Sequence, residues 1–119
     1  MSEIRLGAVE SKFADIIWNN EPLRPVELEK LAEAELNWKR TTTLTILKRL
    51  CERRIFQNKD RIITSLISRE EFYALQSEKF VNDTFEGSLP AFLTAFGSRK
   101  KLSDKEVEEL KKVIDSMRR

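Results

Sequence analysis

The sequence predicts a mainly α chain with one small β-hairpin after its third helix, and three observations carry that expectation. Apolar residues recur at spacings of three and four through most of the chain, as in helices with one buried face. Only three Gly and three Pro serve 119 residues, too few turn formers for a sheet-rich fold. The stretch from Ile55 to Gln57 and from Arg61 to Ile67 breaks the pattern with β-branched and apolar runs around Asn58-Lys59-Asp60, which reads as two strands with a polar tip.

The first helix is expected from Gly7 and Ala8, with Gly as an acceptable cap and Glu10 near the positive end of the dipole. Val9, Phe13, Ile16 and Ile17 form its stripe, and Asn19, Asn20 and Glu21-Pro22 end it. Pro25 suits the first turn of a second helix, in which Leu28, Leu31 and Ala32 face inward and which ends before Asn37. The third helix, about Thr41 to Arg53, buries Thr43, Ile46, Leu47 and Leu50 and turns Thr42, Leu44, Thr45, Lys48 and Arg49 outward.

Past the hairpin, Ser68 and Glu71 form a capping box for a fourth helix with Phe72, Leu75, Phe80, Val81 and Phe85, ended by Gly87. Ser88 caps a short fifth helix with Pro90 in its first turn and Leu89, Phe92, Leu93 and Phe96 as its apolar residues, stopping at Gly97. A second capping box, Ser103 with Glu106, opens a sixth helix whose Val107, Leu110, Ile114 and Met117 make a heptad-like seam. The domain boundary is placed at the change of character, with residues 1–67 as one domain and 68–119 as a helical region.

Composition narrows the function. With no His and one Cys there is no imidazole base, no His-ligated metal and no internal disulfide, so neither an enzyme, a metal nor a cofactor is expected. A lone thiol, and a start that carries Glu3 and Arg5 instead of a signal peptide, indicate a cytoplasmic protein. No uncharged run reaches the roughly 18 residues of a membrane span.

The net charge of +2 hides an uneven distribution. Between Trp38 and Arg61, eight basic residues stand against Glu52 and Asp60, so this stretch is +6 and the remainder −4. Local positive charge is what phosphate neutralisation requires. Three helices followed by a hairpin is the order of a winged helix-turn-helix, in which the third helix enters the major groove and the wing touches the backbone. The candidate DNA-binding residues are therefore Lys39, Arg40, Thr41, Thr42, Leu44, Thr45, Lys48 and Arg49 on the helix, with Lys59 and Arg61 on the wing. Leu44 on a wet face suits a thymine methyl group.

The C-terminal half cannot enclose a core alone, and a second copy of the chain is the simplest lid. Phe72, Phe80, Phe85, Phe92, Val107, Leu110, Ile114 and Met117 are the candidate dimerisation residues. A two-fold dimer would set two reading helices on the half-sites of a palindrome.

In this order the residues resemble the penicillinase repressor and methicillin-resistance regulator family, the BlaI and MecI type. The resemblance is carried by Leu6 with Glu10, Ile16-Ile17-Trp18, Trp38-Lys39-Arg40-Thr41-Thr42, Leu47-Lys48-Arg49-Leu50, Ser68-Arg69-Glu70-Glu71-Phe72, Gly87-Ser88-Leu89, Leu102-Ser103-Asp104 and Glu108-Glu109-Leu110. It implies a homodimeric winged-helix repressor of antibiotic-resistance genes that binds palindromic double-stranded operators, often with TACA and TGTA cores, through its N-terminal part. It implies dimerisation by three C-terminal helices and relief through a membrane sensor-protease pathway that cuts the fifth helix between Asn and Phe. The matching pair here is Ala95-Phe96. Arg54 stands where the family has Gly, so a different entry turn to the wing is expected, since Arg tolerates positive φ poorly. The Cys-x-Cys ligands of a copper-responsive branch are missing, which excludes copper sensing.

Other conspicuous residues have plainer readings. Trp18 and Trp38 belong with the core. Cys51, beside Arg53 and Arg54, reads as an inert thiol in the absence of a resolving Cys. Arg99-Lys100-Lys101, Glu70-Glu71 and Glu108-Glu109 read as solvated charges. The rival to a repressor is a ligand- or partner-responsive winged helix not controlled by proteolysis, with a pocket among Phe72, Phe80, Phe85 and Phe92; an enclosed apolar cavity there would favour it.

Overall fold

A computed structural model describes residues 6–118, so Glu3 and Arg5, on which the reading of the chain's start relied, lie outside the described residues. The fold class is the expected one. In order come α1 (Ala8–Asn20), α2 (Pro25–Leu36), α3 (Arg40–Glu52), β1 (Phe56–Lys59), β2 (Ile62–Ser65), α4 (Arg69–Phe85), α5 (Leu89–Arg99) and α6 (Asp104–Ser116). The strands pair antiparallel with Phe56 opposite Ser65 and Lys59 opposite Ile62.

The chain divides into two compact units, one ending at Ser77 and the other beginning at Glu78. The first has a finished core. Phe13, Ile17, Leu28, Ala32, Leu50, Phe56 and Ile63 are fully buried, drawn from every element of the three-helix and wing arrangement. Thr43, the buried polar residue, donates its hydroxyl to the Lys39 carbonyl at 3.1 Å, so its oxygen is satisfied within its own helix. Leu23, in the loop between α1 and α2, exchanges two hydrogen bonds with Ile63 (3.3 and 2.8 Å) and adds a third rung beside the wing. Glu21 in the same loop accepts from the Ser65 amide at 2.7 Å and from its hydroxyl, so the loop is anchored twice to β2.

The two units part within α4 because its first two turns belong to the core of the first. Phe72, expected at a dimer interface with the other phenylalanines, is 1% exposed in that core and has no surface left for a partner. Its ring lies 5.7 Å from Trp18 and 5.5 Å from Tyr73. Gln76 accepts a hydrogen bond from the Leu6 amide at 3.0 Å. Trp18 and Trp38 pack against the same core, and the Trp38 ring lies tilted against Phe13 with centroids 5.0 Å apart.

Three local expectations are corrected. The hairpin tip is Asp60-Arg61, one step later than read, with φ of 55° and 63°; Asn58 and Lys59 are paired strand residues. Two left-handed residues are what a two-residue type I′ hairpin turn demands, because its twist matches that of the strands. Arg54 adopts φ 62°, so the entry turn keeps the left-handed conformation without Gly; the Ile55 amide then donates to the Leu50 carbonyl at 3.1 Å. Gly97 does not stop α5, which runs to Arg99, since an interior Gly costs a helix only about 1 kcal/mol.

From Glu78 onward no described residue is buried. Glu86 and Gly87, both left-handed, end α4, and the Gly87 amide reaches back to the Val81 carbonyl at 3.1 Å. The Ser88 hydroxyl accepts from the Ala91 amide at 3.1 Å and caps α5. Ser103 caps α6 reciprocally, and its amide and hydroxyl hold the Glu106 carboxyl below the usual carboxylate range. Phe80, Phe85 and Phe92 meet edge to face with centroids 5.6 to 6.1 Å apart.

Candidate nucleic-acid interface

The exposed face of α3 is built by its burial pattern. With Thr43, Leu47 and Leu50 turned inward, helical spacing sends Thr41, Thr42, Thr45, Lys48 and Arg49 to the opposite face, and all five are exposed. Leu44 lies at the edge of that face and is half-buried. Lys39 is the N-cap and makes no side-chain cap bond, and the first turn of α3 holds no acidic residue, unlike those of α1, α2, α4 and α6. Lys39 and Arg40 therefore add positive charge to the positive end of the helix dipole, which opposes helix stability and favours an anion.

Two cations of α3, Arg40 at its start and Arg49 on its exposed face, are engaged by carboxylates of neighbouring helices. Arg40 Nε lies 3.2 Å from Glu29 Oε1 on α2. Arg49 Nη1 lies 3.5 Å from Glu10 Oε2 on α1. On the wing, Lys59 ends β1 and Arg61 occupies the turn, both exposed.

Arg24, which the sequence reading did not single out, stands in the same neighbourhood. With Pro25, Val26, Asp60, Arg61 and Ile62 it lines a shallow hollow between the start of α2 and the wing tip. The pairing of Leu23 with Ile63 brings Arg24 there, a contact across forty residues of chain that no local signal announces.

Burial, and after it the Glu52 carboxylate, push the Cys51 thiol up, so the neighbouring arginines do not activate it. No group of three His, Cys, Asp or Glu side chains suited to a metal ion occurs among the described residues. No helix among them is long and apolar enough to cross a membrane.

A family model described as penicillinase repressor matches residues 6–116. The chain belongs to the penicillinase repressor family. It is also similar to the methicillin resistance regulatory protein MecI of Staphylococcus aureus, with 24% identity over 114 residues that cover 92% of this chain and 93% of that protein. The resemblance read from the ordered motifs is thus confirmed, and the chain is a transcriptional regulator of the penicillinase and methicillin-resistance repressor type.

In this penicillinase repressor family member the C-terminal candidates sit apart from any core. Phe85, Phe92, Val107 and Leu110 are half-buried, while Phe80, Ile114 and Met117 are 44%, 47% and 62% exposed. An open apolar groove, lined by Phe92, Leu93, Phe96, Leu102, Leu110 and Val113 with Glu106 and Glu109, runs between α5 and α6. Phe72 is not on it, nor are Phe80 and Phe85, so the set of four phenylalanines proposed as a sensor pocket does not line this hollow. Ala95 and Phe96 are both exposed on α5, and the Ala95 carbonyl accepts from the Ser98 hydroxyl at 2.7 Å.

Proposed function

We propose that this protein is a homodimeric repressor that holds palindromic operator DNA of β-lactam resistance genes, with α3 and the wing of each protomer on one half-site. The observation that carries the dimer is the second unit, where Leu89, Phe96, Leu102, Val113, Ile114 and Met117 are all more than a third exposed and no described residue is buried. A region this rich in exposed large apolar side chains and without a buried core is uncommon in a monomer, and a second copy with the same surface would cover it. Doubling the reading unit also supplies affinity that one small module lacks.

On DNA, Thr41, Thr42, Leu44, Thr45, Lys48 and Arg49 face the groove from α3, with Lys39 and Arg40 at its start, and Lys59 and Arg61 reach the backbone from the wing. Such a protein acts in the cytoplasm, where its operator lies. Release follows proteolysis at Ala95-Phe96 by a membrane sensor-protease pathway: the fragment ending at Ala95 keeps the reading unit but loses Val107, Leu110, Ile114 and Met117, and the two half-sites are no longer linked. The family and the exposure of the bond on α5 support this order of events.

Footprinting on DNA immediately upstream of the protein's own gene, combined with sedimentation, tests the reading. A protected palindrome and a dimer at micromolar concentration are expected. Leu110→Asp should give folded monomers with weak protection, because a carboxylate desolvated in the seam costs several kcal/mol. A wild-type monomer that protects no symmetric site would end the proposal.

A further inference from the structure

Arg40 is held on one side only. Its Nε, the inner nitrogen of the guanidinium, lies 3.2 Å from Glu29 Oε1; the Arg40 side chain is 75% exposed and that of Glu29 20%. With Nε paired to the Glu29 carboxylate and the side chain three-quarters exposed, the two terminal nitrogens carry four further N–H bonds. That fork matches two oxygens of one phosphate.

The anchor itself is rigid. Glu29 follows Leu28, fully buried, and lies three residues before Ala32, also fully buried, so its helix cannot turn without opening the core. Arg49 is arranged differently, because its ion pair with Glu10 takes up a terminal nitrogen at 3.5 Å and so one side of the fork. A free arginine side chain gives up rotamer freedom when it meets a ligand, and one already oriented gives up less.

We propose that Glu29 is a positioning residue which aims Arg40 at a backbone phosphate of duplex DNA. This rests on the operator-binding reading. Electrostatics alone gives Glu29 the opposite effect, since a carboxylate near the docking face repels DNA. The sign of a substitution therefore separates aiming from charge.

The test is a double-mutant cycle of Glu29→Gln and Arg40→Gln, with Kd measured over a range of salt on a duplex from directly upstream of the protein's own gene and on a scrambled duplex of equal length. Arg40→Gln should weaken binding about tenfold on both and flatten the logarithmic salt slope by about one. Glu29→Gln should weaken both about threefold although it removes a negative charge, and should add nothing in the Arg40→Gln background. Glu29→Asp, which keeps the charge but falls short of Nε, should weaken binding like Glu29→Gln. Because the Arg40 side chain is three-quarters exposed, the ion pair adds little to stability and thermal melting of all variants should stay near wild type.

Tighter or unchanged binding by Glu29→Gln, or an equal loss without Arg40, overturns the proposal. If the wild type binds neither duplex, the operator reading fails and takes this inference with it. If it binds and the cycle lacks the Arg40-dependent loss, only this inference fails.

Discussion

The indole N–H of Trp18 donates to the carbonyl oxygen of Ile67 at 3.0 Å, which ties the middle of α1 to the chain as it leaves the wing. The same ring lies 5.1 Å from Phe56, 5.7 Å from Phe72 and 5.9 Å from Tyr73. Two residues after Ile67, Arg69 at the start of α4 sets its Nε 2.8 Å from Asp15 and its guanidinium carbon 4.9 Å from the Tyr73 ring centroid. Wing exit and α4 are therefore fixed to α1 by three kinds of contact between Ile67 and Tyr73, a polar one, an aromatic one and an ionic one.

Trp18→Phe keeps most of the ring packing and removes the donor. The Ile67 carbonyl is then left without its partner, and stability should fall by about 1 to 3 kcal/mol. Urea unfolding should show an earlier midpoint, while the folded variant should bind DNA as the wild type does, since the exposed face of α3 is untouched.

Base reading and backbone contact separate on two substitutions. Leu44→Ala should lower binding to operator by about 1 to 3 kcal/mol and leave scrambled DNA unaffected. Lys59→Ala should weaken both alike and flatten the salt slope. Equal losses on both duplexes for Leu44→Ala would remove its base-reading role.

The wing tip holds a non-glycine residue in each left-handed position, with Arg61 at φ 63°. Arg61→Gly should relieve that conformation and raise stability by about 0.5 kcal/mol, less than the full left-handed penalty because Gly also loosens the unfolded chain. DNA binding should fall on every sequence. A variant that is more stable and binds DNA equally well would show that Arg61 serves the turn alone.

Gly97 lies inside α5, the second residue after the proposed scissile bond, and a Cβ built there meets nothing within 4 Å. Gly97→Ala should therefore stabilise the helix by about 0.5 to 1 kcal/mol. A protease needs its substrate extended, so cutting at Ala95-Phe96 should slow several-fold while operator affinity is unchanged. Mass spectrometry of the protein from β-lactam-treated cells reads the cut; cleavage as fast as in the wild type would mean that helix opening does not limit it.

The helix limits were legible because their signals are local. Pro25, the hydroxyls of Ser68, Ser88 and Ser103, and the left-handed Gly87 each act within two turns of their own residue. The inward face of α3 was legible for the same reason, except that Ile46 is only half-buried. Gly97 and Arg54 misled because a residue's preference is a small energy: about 1 kcal/mol does not stop a helix already propagating or block a turn closed by Ile55 and Leu50.

By itself the sequence determined the order of elements, the caps, the basic stretch and the family, all of which depend on neighbours three or four positions away or on ordered motifs. The tertiary structure decided what each exposed or apolar residue is for. Phe72 and Phe80 share one helix and one residue type, yet Phe72 is 1% exposed and Phe80 44%, because Trp18 and Tyr73 pack against the first within the core of the first unit. Likewise Arg40 and Glu29, eleven positions apart, become a pair only when α2 packs on α3. Burial and charge pairing are set by residues distant in sequence, and spacing along one helix carries no record of them.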